Sequence, residues 1–238
     1  TDYQIASGIT YRVLDDNIGY IYYESFSDAI GEGNLDNVLA TLALADGLII
    51  DVRDNGGGII TNAETLVARF IDKRILAGYI RNNGGGDLTN AEKLAARFTN
   101  EAVHVGYICH KTGPGHNDFS EKEEQWIEPS SNMRWQKKVC VLTNRSVYSA
   151  ANEFVKYMTC MPSVTIVGDS TGGGAGLPFN NSLPNGWAVR FSACPMYDTE
   201  GQTTEFGIAP DYKVSITDDD FDKGIDTIIE FARNLLKE

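Results

Sequence analysis

Ser149 stands where an apolar run, Val139-Cys140-Val141-Leu142-Thr143-Asn144, turns through Arg145 to Tyr148 into Ala150-Ala151-Asn152-Glu153, the start of a helical pattern. A hydroxyl at a helix amino terminus meets unpaired backbone N–H groups and the positive end of the helix dipole, which together stabilise an oxyanion forming beside it. Taken alone, the placement also suits a plain N-cap, because serine is a favoured capping residue. A second feature is Arg53-Asp54-Asn55-Gly56-Gly57-Gly58, which follows the apolar strand GLIIDV directly. Its glycines let the backbone come close to a reacting carbonyl with no side chain between. A third is Thr171-Gly172-Gly173-Gly174-Ala175-Gly176. It lacks the G-K-[ST] ending of a phosphate loop, so a cleft-lining loop is expected there instead.

The elements that must hold these loops follow from periodicity. Segments 8–13 and 18–23 are rich in β-branched and aromatic residues around an Asp-Asp-Asn turn and predict a hairpin. Leu35, Val38, Leu39 and Leu42 recur at helical spacing, and GLIIDV at 47–52 predicts a buried strand. Thr61 with Glu64 forms a capping box, placing a helix from there to about Phe70. Residues 111–135 are polar and turn-rich and predict a long loop. Strands are expected at 138–144, at VTIVGD, at WAVRFSACP and at the end of GIAPDYKV. A helix follows Ser149 with Ala151, Phe154, Val155 and Met158 on one face, and a terminal amphipathic helix is expected over 219–237. Strands alternating with helices define an α/β fold.

Residues 53–80 and 81–108 match at 16 positions when compared at an offset of 28. A whole loop, capped helix and strand was therefore duplicated. The first copy follows LIIDV and keeps Asp54, whereas the second follows ILAGYI and reads Arg81-Asn82-Asn83. The first is expected to be the functional one and 81–108 the inserted unit, within a single domain spanning 1–238.

A net charge of −13 repels phosphate backbones and anionic lipid, arguing against nucleic-acid or membrane-surface binding. No stretch approaches the roughly 20 apolar residues of a membrane span. Cys109, Cys140, Cys160 and Cys194 form no C-x-x-C motif, so buried free thiols are expected. His104, His110 and His116 fall six apart, which does not place two ligands on one helical face, and no metal is expected. The chain opens TDYQIASG with no initiator Met or leader, as a processed form or fragment would.

Read in order, the motifs resemble those of the carboxyl-terminal processing (tail-specific) serine protease family, with features of its tricorn-like branch. The family's D-hydrophobic-R-x-N-x-G-G is matched by Asp51 to Gly58, and its S-A-x-E-like turn by Ser149 to Glu153, one residue longer before the acid. Its G-x-x-T-x-G-like segment is matched by Gly168 to Gly174, and its closing G-[IV]-x-P-D by Gly207 to Asp211. The resemblance implies a ClpP/crotonase-like superhelix of β-β-α units and hydrolysis of peptide bonds, with unfolded or carboxyl-terminal segments as substrates and no cofactor. It implies Ser149 as nucleophile and the amides of Ala150 and of Gly57 or Gly58 as the oxyanion hole. It also implies a bacterial-envelope or secreted location.

The family's lysine base would fall at Gly174, and no lysine occurs between 157 and 212. A serine needs a base to become a useful nucleophile. Glu205 matches the tricorn-like glutamate just before the closing motif, while Tyr20, Tyr22 and Tyr23 occupy the region of that branch's histidine. His116, in a glycine-rich loop, is the replacement of suitable chemistry. Lys111 and Lys156 are weaker candidates, read as solvated surface lysines. Two rival readings stay open: a peptide-binding pseudoprotease that has lost its base, and a crotonase-like acyl-thioester enzyme.

Overall fold

The computed structural model describes residues 3–6, 8–27, 31–58, 102–129 and 134–238. The expected helix from Thr61 to Phe70 and most of the duplicated unit lie outside these residues.

Strands β1 (Gln4–Ala6), β2 (Ile9–Val13) and β3 (Ile18–Tyr23) form an antiparallel meander, with Thr10 opposite Tyr22 and Val13 opposite Gly19. The turn closes by Leu14 N–H donating to Ile18 O at 2.8 Å, with Asn17 in the left-handed region that asparagine tolerates. Helix α1 (Glu32–Leu42) buries the four expected positions, Leu35, Val38, Leu39 and Leu42. It returns the chain to β4 (Gly47–Asp51), which is buried along its whole length, as a central parallel strand should be.

At the end of the duplicated unit, β5 (Val103–Ile108) pairs antiparallel with β6 (Glu123–Ile127). The predicted 111–135 loop is corrected here. Its charged sequence, Glu123-Glu124-Gln125-Trp126-Ile127, hides a strand that exists through its register with β5, such as His104 opposite Trp126, and not through an apolar pattern. Strand β7 (Val139–Thr143) then leads into α2 (Ala150–Thr159) and β8 (Val164–Gly168). Strands β9 (Phe179–Ser182) and β10 (Ala188–Phe191) form a separate hairpin, β11 (Met196–Tyr197) joins β5, and β12 (Tyr212–Lys213) joins β8.

The main sheet runs β1-β2-β3-β4-β7-β8-β12, parallel from β3 onward. Alternate residues of its central strands feed two cores. Leu48, Ile50, Val139 and Val141 meet α1 and α2 on one face, while Ile49, Cys140 and Leu142 meet the terminal helix on the other. That terminal segment is two helices, α3 (Asp218–Asp222) and α4 (Thr227–Lys237), and not one over 219–237. The Asp226 side chain accepts from the amides of Ile228 and Ile229, which starts a new helix after the break at Gly224. Cys109 and Cys140 are buried free thiols, whereas Cys160 and Cys194 are free but only half-buried. Among the described residues no helix is long and apolar enough to cross a membrane.

Candidate active site

Ser149 sits between β7 and α2 with φ 56° and ψ −121°, a conformation that non-glycine residues rarely hold unless their surroundings impose it. Its side chain makes no capping hydrogen bond, so the hydroxyl is not spent on starting the helix. The backbone does the holding: Ser149 N–H donates to Gly173 O at 2.8 Å, Tyr148 N–H to Asn55 O at 3.1 Å, and Glu153 N–H to Ser149 O at 3.1 Å.

The loop after β4 is fastened to this turn from the other side. Asn55, fully buried, donates through Nδ2 to Tyr23 O at 2.8 Å and accepts the Gly57 amide on Oδ1 at 2.9 Å. Asp54 N–H donates to Asn144 Oδ1 and Asn144 Nδ2 donates back to Asp54 Oδ1, at 3.1 and 3.0 Å. Gly57 has φ +91°, and a β-carbon there would lie 2.4 Å from Tyr148 O, 2.8 Å from Ser149 Cβ and 2.9 Å from Ala150 N. Only glycine fits. Because Asn55 already accepts the Gly57 amide, that N–H is committed. The amides of Gly58 and Ala150 donate to no other group among the described residues.

The asparagine loop is itself anchored. Arg53 forks onto Asp51, with Nε–Oδ1 2.9 Å and Nη2–Oδ2 2.7 Å, and reaches Asp226 at 2.8 Å. Tyr20 Oη donates to Asp51 Oδ2 at 2.8 Å, and burial, then the Asp51 charge, pushes its phenol far above the usual range. The start of α4 is thereby tied to the glycine loop.

The glycine run 171–176 forms the third wall. Gly174 N–H donates to Glu205 O at 2.9 Å and Gly172 N–H to Val147 O at 2.7 Å. Gly174, at φ +73°, faces the ring of Tyr148, where a β-carbon would fall 2.0 Å from Cζ. The position expected for a lysine is therefore filled by an aromatic ring from the residue before the serine. Ser192 Oγ lies 3.4 Å from Glu205 Oε1, and burial raises the Glu205 carboxyl above its ordinary range, with Ser192 opposing and the Glu153 charge adding.

The structure packs Gly57 against Ser149 and Ala150 and links Glu205 to the serine turn only through Gly173 and Gly174. It does not bring in His116, whose exposed side chain bonds to neither Ser149 nor Glu205 among the described residues. Lys111 braces that loop, donating to the carbonyls of Gly115 and His116. His104 packs against Tyr107 and Trp126, and His110 lies 3.6 Å from Cys194 Sγ. Lys156 is corrected: it is 1% exposed and pairs with Glu153 Oε2 at 2.6 Å, not solvated. Sequence reasoning missed this pair, for which the signal was a Glu-x-x-Lys spacing on an otherwise apolar helix. No group of three His, Cys, Asp or Glu among the described residues could hold a metal ion.

The family model for peptidase family S41 matches residues 17–79 and 80–214, so the chain belongs to peptidase family S41. The break between the two matched stretches falls one residue before the boundary between the duplicated copies. A protein from Parabacteroides merdae ATCC 43184, described as a peptidase candidate, is similar at 48% identity and TM-score 0.84 over 99% of this chain and 66% of its own. Mature CPAF complexed with lactacystin shares the fold at 13% identity and TM-score 0.70, over 96% of this chain and 53% of its own. The photosystem II D1 C-terminal processing protease does so at 14% identity and TM-score 0.58, over 87% of this chain and 48% of its own. The chain thus spans just under two thirds of the first of these relatives and about half of the others. No curated protein matches the sequence.

Proposed function

We propose that this chain is the core of a serine peptidase that hydrolyses peptide bonds in unfolded or carboxyl-terminal segments, with Ser149 as nucleophile. One observation carries the reading: a strained serine, its hydroxyl free of capping, stands next to the uncommitted Ala150 amide and against Gly57, whose successor Gly58 has an amide that donates to no other group among the described residues. In this reading Ser149 Oγ attacks the scissile carbonyl and its proton passes to a base. The carbonyl oxygen, now anionic, is held by the Ala150 and Gly58 amides, each worth about 3 kcal/mol in the transition state. Collapse expels the amine, which takes the proton, and water then hydrolyses the acyl-serine.

The base in this reading is His116, oriented by Glu205. Its support is chemical type and position on a glycine-rich loop, and it requires the 110–120 loop to close over bound substrate. Family membership supports peptide or protein substrates, and the β2-β3-α1 order supports a β-β-α repeat of the superhelical kind. An envelope or secreted location belongs to the same reading, and fractionation of the native host tests it.

A second reading, a peptide-binding pseudoprotease, is favoured by the Tyr148 ring standing where the family lysine would emerge. Incubation of the full-length protein with a permanently unfolded substrate separates the two. Cleavage that disappears in Ser149→Ala establishes the peptidase; binding with no cleavage in either form establishes the pseudoprotease.

A further inference from the structure

Helix α2 follows the nucleophile and would be expected to present a polar face to water, yet Asn152, Glu153 and Lys156 are all essentially buried. Their partners lie on two loops of the site. Asn152 Nδ2 donates to Thr204 O at 3.2 Å, and Asn152 Oδ1 accepts from Thr171 Oγ1 at 2.6 Å. Thr171 Oγ1 in turn accepts the Ile208 amide at 2.7 Å. Glu153 Oε1 accepts from Thr204 Oγ1 at 3.3 Å, its Oε2 meets Lys156 Nζ at 2.6 Å, and Lys156 donates to Gln125 Oε1 of β6 at 2.8 Å.

Buried charges are costly unless paired, and an apolar helix face would fill the same volume with no such demand. A network kept at that cost and joined to both loops of the site points to positioning. We propose that the buried Lys156–Glu153 pair, acting through Thr204, is the positioning device that holds the Glu205 segment against the Ser149 turn. Thr204 immediately precedes Glu205. Its hydroxyl and carbonyl are both gripped by α2, whose first residue follows Ser149, so nucleophile and carboxylate are indexed to one helix. Glu205 O then meets Gly174 N–H, and Gly173 O meets Ser149 N–H, which closes the circuit. Among the described residues the groups facing the Glu205 carboxylate are Ser192, on the 192–195 segment, and Glu153, on α2, with Lys156 behind Glu153.

This inference rests on the proposed peptidase reading, and two measurements keep their failures apart. Thr204→Val keeps shape and removes the hydroxyl, and Thr204→Ser restores it. For the active full-length protein, Thr204→Val is expected to lower kcat about tenfold with KM within about twofold, and Thr204→Ser to return kcat to within about threefold of the parent. A Thr204→Val variant with the parent's kcat overturns the proposal. The second readout needs no activity: carbon-13 titration of the Glu205 carboxyl, assigned by Glu205→Gln. In the double variant Glu153→Gln/Lys156→Met, which leaves no charge unpaired, the midpoint is expected to fall towards that of an exposed glutamate. An unchanged midpoint overturns the proposal even if the protein cleaves nothing, whereas a shifted midpoint in a protein whose Ser149 is inert would sink only the peptidase reading.

Discussion

The amide of Tyr148 donates to the carbonyl of Asn55 at 3.1 Å, joining the turn that carries the serine to the glycine loop that follows β4. The two loops lie far apart in sequence and reach each other because β4 and β7 are parallel neighbours, with Asp51 opposite Leu142. Loops leaving the same ends of adjacent parallel strands are brought side by side by topology alone. The Asp54–Asn144 exchange then fixes their register.

Gly57→Ala tests how tightly that register is drawn. The added methyl has to displace Tyr148 O and the Ser149 backbone, and the residue has to hold φ +91°. We expect a loss of about 1–3 kcal/mol in stability, read from the denaturant midpoint. We also expect kcat/KM to fall by about 100-fold or more on an unfolded substrate.

Arg53 offers a test of the anchoring. Its side chain is 13% exposed and neutralises Asp51, which is 2% exposed, while also meeting Asp226. Arg53→Ala leaves Asp51 charged and buried beside Tyr20 and is expected to cost about 3–5 kcal/mol. Arg53→Lys is expected to recover only part of this, because a point charge cannot reproduce the fork onto Asp51. Chemical denaturation of the two variants measures both.

The Glu205 carboxyl predicts a pH dependence. Burial raises its folded affinity for protons, so its contribution to stability is fully present below the ordinary glutamate range and is lost as pH rises through the folded value. Glu205→Gln removes the ionisation. At neutral pH the variant is expected to melt above the parent, with the gap closing as pH falls through the titration. Thermal melts from pH 4 to pH 8 check the sign.

Cys140 lies between the sheet and α4, its thiol 3.9 Å from Ala232 O, and burial pushes it up to about 12. The thiolate is the reactive form, so Cys140 is expected to resist iodoacetamide at pH 8 in the folded protein and to react once unfolded. Peptide mass mapping of the two samples distinguishes these states.

The sequence shows how much of this could be read in advance. The β2–β3 hairpin, α1, β4, β7, α2 and β8 were legible because each buries residues at its own period, from Leu35 to Leu42 in α1 and along Val139–Thr143 in β7. The Asp51 to Gly58 and Ser149 to Glu153 motifs were legible as motifs, and the structure shows their backbones in contact. What stayed hidden depends on tertiary partners. Strand β6 has no apolar alternation and is defined by β5. Lys156 looks like any surface lysine until Glu153 and Gln125 close around it, and nothing in the residue Gly174 announces that the Tyr148 ring covers it.

Reaction of the full-length protein with a fluorophosphonate, followed by intact and peptide mass, tests the central claim most directly. We predict a single adduct on the peptide containing Ser149, at a rate lowered by acid, and none in Ser149→Ala. A folded protein that stays unmodified at Ser149, or a Ser149→Ala variant that labels and cleaves like the parent, contradicts it.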